Sequence, residues 1–170
     1  MQNTNRRWIR WTGELALVAA ALALLLASVP ARAEDENHDG TRIALAWVDA
    51  WNSHDADRVV ALFTPDAVYE DVPLGVANHG IAEIRAFAQG FFDAVPDSRI
   101  IYVSSFRAGK RGAIEWVFEG TDVGIHKTGK RFSVRGMTAL ELHGQLITRN
   151  VDYYDLATML RQFGLLPPGL

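Results

Sequence analysis

Two aspartates far apart in the chain have the setting that proton transfer needs. Asp71 closes the short apolar run Ala67-Val68-Tyr69-Glu70-Asp71-Val72, just ahead of Pro73-Leu74-Gly75. Asp152 lies in a segment where Thr148, Asn150, Asp152 and Tyr154 alternate, and so share one strand face. A carboxylate at the mouth of a strand is held by the sheet yet can look into a cavity, as a general acid or base must. A Thr-Asn-Asp-Tyr face suits the polar floor of a pocket. It would also suit solvent, with Ile147, Val151 and Tyr153 packed inward, and Asp71 could simply form the turn before Pro73. Trp47 and Trp51 can anchor a core or line a cavity with helix-borne aromatics.

Other chemistries drop out. Gly124-Ile125-His126-Lys127-Thr128-Gly129-Lys130 has the glycine and lysine spacing of a phosphate loop, but Arg131 stands where Ser or Thr is required and a strand pattern follows, so a hairpin connection is expected. The histidines at 38, 54, 79, 126 and 143 show no paired metal-ligand spacing; surface or capping roles fit them better. No serine sits in a nucleophile elbow, and a chain without cysteine can do no thiol chemistry. No metal and no cofactor are expected.

The elements that must position these groups are legible as patterns. Ile43, Ala44, Trp47, Val48 and Trp51 form a helical apolar stripe from Thr41 onward. Asp55 can cap a short second helix carrying Val59, Val60, Leu62 and Phe63, which Pro65 ends. Val68 to Val72 reads as a strand. Gly80 opens a third helix with Ile81, Ile84, Phe87, Ala88 and Phe91 inward, stopping near Pro96. Strands are expected over Arg99–Arg107, Ala113–Thr121, Arg131–His143 and Gln145–Tyr154, with turn signals at 108–112 and 143–144. Asp155 can cap a last helix, Leu156 to Phe163, that Gly164 ends. Three helices followed by a run of antiparallel strands predict an α+β domain, a curved sheet wrapped on helices.

The chain of 170 residues opens on a targeting pattern. Arg6, Arg7 and Arg10 precede the apolar run Leu15 to Val29, and Ala31-Arg32-Ala33 is a small-x-small cleavage site. The run is shorter than the ~20 residues of a membrane span. A signal peptide over 1–33, a flexible polar leader over 34–40 and one domain over 41–170 are therefore expected, with export after cleavage near Ala33. The Arg6-Arg7 pair lacks the usual flanks of twin-arginine export, and no cysteine is present for lipid attachment. Removing residues 1–33 takes away four arginines and Glu14, leaving 13 Lys+Arg against 19 Asp+Glu, a net charge of -6. That balance argues against nucleic-acid binding.

Trp47-Val48-Asp49-Ala50-Trp51-Asn52-Ser53-His54-Asp55, Val60-Ala61-Leu62-Phe63, Asp66 to Asp71, Gly80 and Ile84-Arg85 resemble the cone-shaped superfamily of nuclear transport factor 2, which includes ketosteroid isomerase and the SnoaL-like polyketide cyclases. Gly120-Thr121-Asp122-Val123-Gly124, Thr128-Gly129-Lys130 and the ending Asp155 to Gly164 are more similar to the SnoaL branch. The resemblance implies a cone-shaped curved antiparallel sheet wrapped around three N-terminal helices, with a short C-terminal helix. It places Asp71 on the general base of ketosteroid isomerase, Trp47 on its oxyanion-hole tyrosine and Thr138 near its protonated aspartic acid; with both donors changed, isomerase fidelity is lost. It places Asp152 on the acid/base aspartate of the cyclases, with Asn150 where a histidine usually lies and Asp122 where many relatives carry one.

Taken together, these readings predict an exported, cofactor-free enzyme of cyclase or isomerase type acting on an apolar carbonyl compound. Asp152 is the first acid/base candidate and Asp71 the second. Asn150, Trp47, Trp51, Tyr69, Phe87 and Phe91 are the substrate-binding candidates, with Asn150, Trp47 and Tyr69 orienting or polarising. The alternative is a non-catalytic ligand-binding or assembly domain. A homodimer is expected through the outer sheet face, carried by Ile114, Trp116 and Phe118 if Glu115 and Glu119 point into the cone.

Overall fold

The computed structural model describes residues 30–167, with side chains from Gly40 onward. The chain divides into two compact units, Met1–Asp35 and Glu36–Leu170. Of the first, only the opening of a helix is described; the expected apolar run Leu15 to Val29 and all but the last residues of the expected signal peptide lie outside the described residues.

The first helix, α1, spans Pro30–Asn52. It takes in residues 34–40, where a flexible leader was expected: the packed stripe beyond Thr41 supplies a nucleus from which the helix propagates backward, through a segment of low intrinsic helix propensity that includes Gly40. Ile43, Ala44, Trp47, Val48 and Trp51 are buried, as the stripe predicts. Asp55 caps the short α2, Ala56–Val60, by accepting the N–H groups of Asp57 and Arg58. The helix stops well before Pro65. The Ile147 N–H takes the Leu62 carbonyl at 2.8 Å and draws the chain into the sheet, so Phe63 opens strand β1, Phe63–Asp71, instead of closing a helix. Pro65 falls in the irregular stretch of that strand, between the paired residues Phe63 and Val68, where the ladder needs no N–H from it. A short β2, Val76–His79, follows, then α3, Gly80–Ala94. Neither the length nor the composition of Val76–His79 signals a strand.

The remaining strands are β3 Arg99–Ala108, β4 Arg111–Thr121, β5 Arg131–His143 and β6 Leu146–Tyr154, followed by α4, Leu156–Phe163. One six-stranded curved, open sheet results, in the order β2-β1-β6-β5-β4-β3. Every neighbour pair is antiparallel except β1 and β6, which run parallel. A hairpin would force antiparallel pairing; these two strands are joined by most of the domain and carry no such constraint.

The helices cover the concave face. Ile114, Trp116 and Phe118 are buried there, which reverses the facing assumed for a dimer contact: Glu115, Val117 and Glu119 point outward instead. The cause is aromatic packing. Trp116 stacks on Trp47 at 6.4 Å, and Phe118 meets Phe91 and Phe132 at 5.1 and 4.7 Å. Gly136 makes this possible, since a Cβ at that position would lie 2.2 Å from the Trp116 ring.

Candidate active site

The parallel pairing of β1 with β6 sets Asp71 and Asp152 directly opposite one another in the ladder. Their side chains therefore share a face, and both line the same cavity of about 320 Å³. Trp47 and Trp51 from α1, Phe87 and Phe91 from α3, Tyr69, Trp116, Phe118 and Tyr154 from the sheet, and Leu156 and Met159 from α4 wall it. An aromatic wall with a few convergent polar groups is the usual make-up of a small-molecule site.

Asp152 is the most heavily held group. Its Oδ1 accepts from the Thr138 hydroxyl at 2.6 Å and the Asn150 amide at 2.8 Å, and its Oδ2 accepts from the Tyr69 hydroxyl. A layer behind keeps these donors in place: the Trp116 indole N–H donates to Thr138 Oγ1 at 2.8 Å and that of Trp47 to Asn150 Oδ1 at 3.0 Å. Burial pushes the Asp152 carboxyl up to about 6; the three donors restrain the rise, and the Asp71 charge adds to it. Asp71 is also buried and raised, because burial outweighs the Leu74 N–H at 3.0 Å and the Tyr154 hydroxyl at 3.3 Å. Burial and the two carboxylates push both phenols, Tyr69 and Tyr154, upward, so each keeps its proton and remains a donor. The floor is thus two carboxyl–phenol pairs side by side.

All but one of the residues expected at a site line this cavity: Asp152, Asp71, Trp47, Trp51, Tyr69, Phe87 and Phe91. Asn150 does not. It is fully buried behind Asp152 and positions that carboxyl rather than touching a ligand. Trp47 likewise spends its N–H on Asn150, leaving its ring as wall, while the buried Trp51 N–H has no partner among the described residues. Tyr154 completes the polar floor and stood on the face already singled out, while Thr138, fully buried, holds Asp152 from behind as Asn150 does. His126, expected at the surface, is exposed and also borders the cavity. Nothing in its spacing gave that away, since it sits on a loop. Among the described residues no cluster of three or more His, Asp or Glu side chains could hold a metal ion.

The SnoaL-like domain family matches residues 44–150. The chain belongs to this family. Among solved structures, the SnoaL-like domain is similar to a protein of ketosteroid isomerase-like fold from Catenulispora acidiphila, in complex with trimethylamine, at 29% identity and a TM-score of 0.68; the match covers 74% of this chain and 97% of that one. A protein named as a SnoaL-like polyketide cyclase from Jannaschia matches at 16% identity and 0.67, over 78% and 96%. TerC, co-crystallised with polyporic acid, matches at 16% and 0.62, over 74% and 98%. The last two likenesses, at their low identity, speak for the fold alone. The family match stops short of Asp152, so the SnoaL-like assignment and the carboxyl that dominates the cavity are independent observations.

Proposed function

We propose that this SnoaL-like domain is an exported enzyme that moves protons on an apolar carbonyl compound, in a cyclase- or isomerase-type reaction without a cofactor, with Asp152 as base. One observation carries the reading: a buried carboxyl, raised to about 6, forms the floor of an aromatic cavity beside two protonated phenols. A base is most effective with its pKa near the working pH, and burial has brought Asp152 there. Asp152 would take a proton from the carbon next to the carbonyl. The C–H pair becomes the enolate C=C bond, and the carbonyl π pair moves onto oxygen, where a phenol hydrogen, from Tyr154 or Tyr69, stabilises the charge. Return of the proton to another carbon isomerises the substrate; attack of the enolate carbon on a second carbonyl closes a ring. No electrons leave the substrate, so the step asks for no redox partner. Asp71, held by a backbone N–H and one phenol, would keep a second proton site within the same cavity.

The test is a panel of cyclic ketones and polyketide-like di- and triketones. For a compound that is turned over, Asp152→Asn lowers kcat by about 10²–10⁴-fold with much less change in affinity. Asp71→Asn is the paired control: if it alone abolishes turnover, Asp71 is the base. If both variants match the parent, the chemistry lies elsewhere. A second reading, a binding domain without turnover, is favoured by the fact that Trp47 and Thr138, at the positions of the isomerase's oxyanion donors, give their hydrogens to Asn150 and Asp152. A parent that binds apolar ketones and converts none supports it.

Export and assembly belong to the same proposal. The N-terminal pattern calls for a mature chain beginning at Glu34, which intact mass of protein from the extracytoplasmic fraction checks. Pairing of two copies would use the outer sheet face, now carried by Ile101, Phe106, Met137 and Tyr153, all exposed. Arg135 pairs with Glu115 within this face, and a twofold axis could exchange that pair between copies. Light scattering of the parent at micromolar concentration decides; a monomer removes the idea.

A further inference from the structure

The loop between β4 and β5 is built around a buried aspartate that the acid–base reading leaves unused. Asp122 is fully buried. Its carboxylate accepts the backbone N–H of His126 at 2.9 Å, the N–H of Thr128 at 3.0 Å and the Thr128 hydroxyl at 2.7 Å. Its own backbone closes the loop base, taking the Gly129 N–H at 2.8 Å and giving its N–H to Lys130 at 3.0 Å. The loop is also tied to the end of α3: the Val123 and Gly124 N–H groups both donate to the Ala94 carbonyl, at 3.1 and 2.8 Å. Gly124 lies so close that a Cβ there would be 2.5 Å from Ala94 Cα. A connection held at this many points is a rigid mount, not a slack hairpin.

What the mount presents is His126. Its ring packs edge-on against Phe163 of α4 at 5.8 Å and lines the cavity. Among the described residues its ring nitrogens have no hydrogen-bond partner. Asp152 pairs with Thr138 on β5, whereas the loop rejoins β5 at Arg131, seven residues away. His126 meets Phe163, which meets Phe132 and through it Phe118, so its ring borders the cavity on the Arg131 side of β5, whereas Asp152 sits at the Thr138 register.

We propose that His126 is a specificity-determining contact for the end of the ligand remote from Asp152, and that Asp122 is its positioning residue. The inference rests on the proposed acid–base site and narrows its substrate: a ligand with its reacting carbonyl at the Asp152 end and a second oxygen, a hydroxyl or carbonyl, at the other. Between them runs an apolar ring system matched to Phe87, Phe91 and Phe118.

Two naphthalene probes test this, 2-naphthol with one terminal oxygen and naphthalene-2,6-diol with two, titrated by quenching of the cavity tryptophans. In the parent the diol binds tighter by about 2–10-fold, the worth of one net hydrogen bond. His126→Phe keeps the ring contact with Phe163 and abolishes that gap, so that the diol and 2-naphthol bind the variant equally tightly. Asp122→Ala narrows the gap, and Asp122→Asn, which keeps an accepting oxygen, partly restores it; a purely structural loop would move both affinities together. A diol that binds no tighter than 2-naphthol in the parent, or a gap that survives His126→Phe, overturns the role of His126 and leaves the Asp152 chemistry standing. Failure of both probes to bind overturns the small-molecule reading of the cavity as well.

Discussion

Asp122 and Asp152 are both buried and both accept three or more hydrogen bonds, yet their pKa values are shifted in opposite directions. For Asp122 burial alone would raise the carboxyl, but backbone N–H groups of Thr128 and His126 and the Thr128 hydroxyl outweigh it and the net shift is downward. For Asp152 burial wins, although Thr138, Tyr69 and Asn150 all donate to it. The donors differ in kind. Successive N–H groups of one loop converge on Asp122 as a fixed nest for negative charge, whereas Asp152 is served by neutral side-chain donors and has a second carboxyl beside it. Asp122 is built to stay ionised and hold a loop; Asp152 is built so that its proton is negotiable.

The largest test of that contrast uses stability. Lifting Asp152 from 3.8 to about 6 means that the folded state binds its proton more tightly than the unfolded chain does, so this group's contribution falls as pH rises from about 4 to about 6 and its penalty is complete above that. Two pKa units correspond to at most about 3 kcal/mol. Asp152→Asn keeps Oδ1 as acceptor for Thr138 and Asn150, and can turn its amide toward the Tyr69 oxygen. Urea titrations should find it more stable than the parent above pH 6, by up to that amount, with the gain vanishing near pH 4. A variant that is less stable at neutral pH would break the assignment. Lost activity with gained stability is the signature of a group kept for chemistry.

Asp122 should behave in the opposite sense. A lowered pKa contributes stability that is present above the unfolded value and lost as pH falls through the folded one. Asp122→Ala should therefore destabilise at pH 7, by about 1–3 kcal/mol for donors left unpaired in the loop, and the difference from the parent should shrink toward pH 3. A loss that is independent of pH would mean that packing, not charge, holds the loop.

Much of this was legible in the chain. The stripe on α1, the Asp55 and Asp155 caps and the alternation of β4 come from local periodicity, and they stand within a residue or two of where the pattern put them. Asp152 and Tyr154 were visible as a polar face on a strand. What was hidden is long-range or irregular. Which face of β4 turns inward depends on aromatic partners from helices elsewhere. The adjacency of Asp71 and Asp152 depends on one parallel pairing between the first and last strands. Asn150 is on the right face, but its depth behind Asp152 is a matter of packing. His126 was missed because a loop has no period, and its mount consists of hydrogen bonds that only the folded backbone defines.

The finest test separates the two aspartates by a single hydrogen. Tyr69 donates to Asp152 and holds its pKa down; no phenol touches Asp122. Tyr69→Phe keeps the ring that packs on Phe87 at 5.1 Å and Trp51 at 5.6 Å and removes only the hydroxyl. The carboxylate form of Asp152 then loses one of three donors, so its pKa moves further up from about 6. Because the base must be ionised to accept a proton, the acid limb of kcat/KM against pH should move to higher pH in the variant, by less than the shift burial itself produces. The rate above that limb should fall modestly if Tyr154 is the donor to the substrate oxygen, and steeply if Tyr69 is. An unmoved limb would mean that the titrating base is not Asp152, and attention would pass to Asp71, whose phenol is Tyr154.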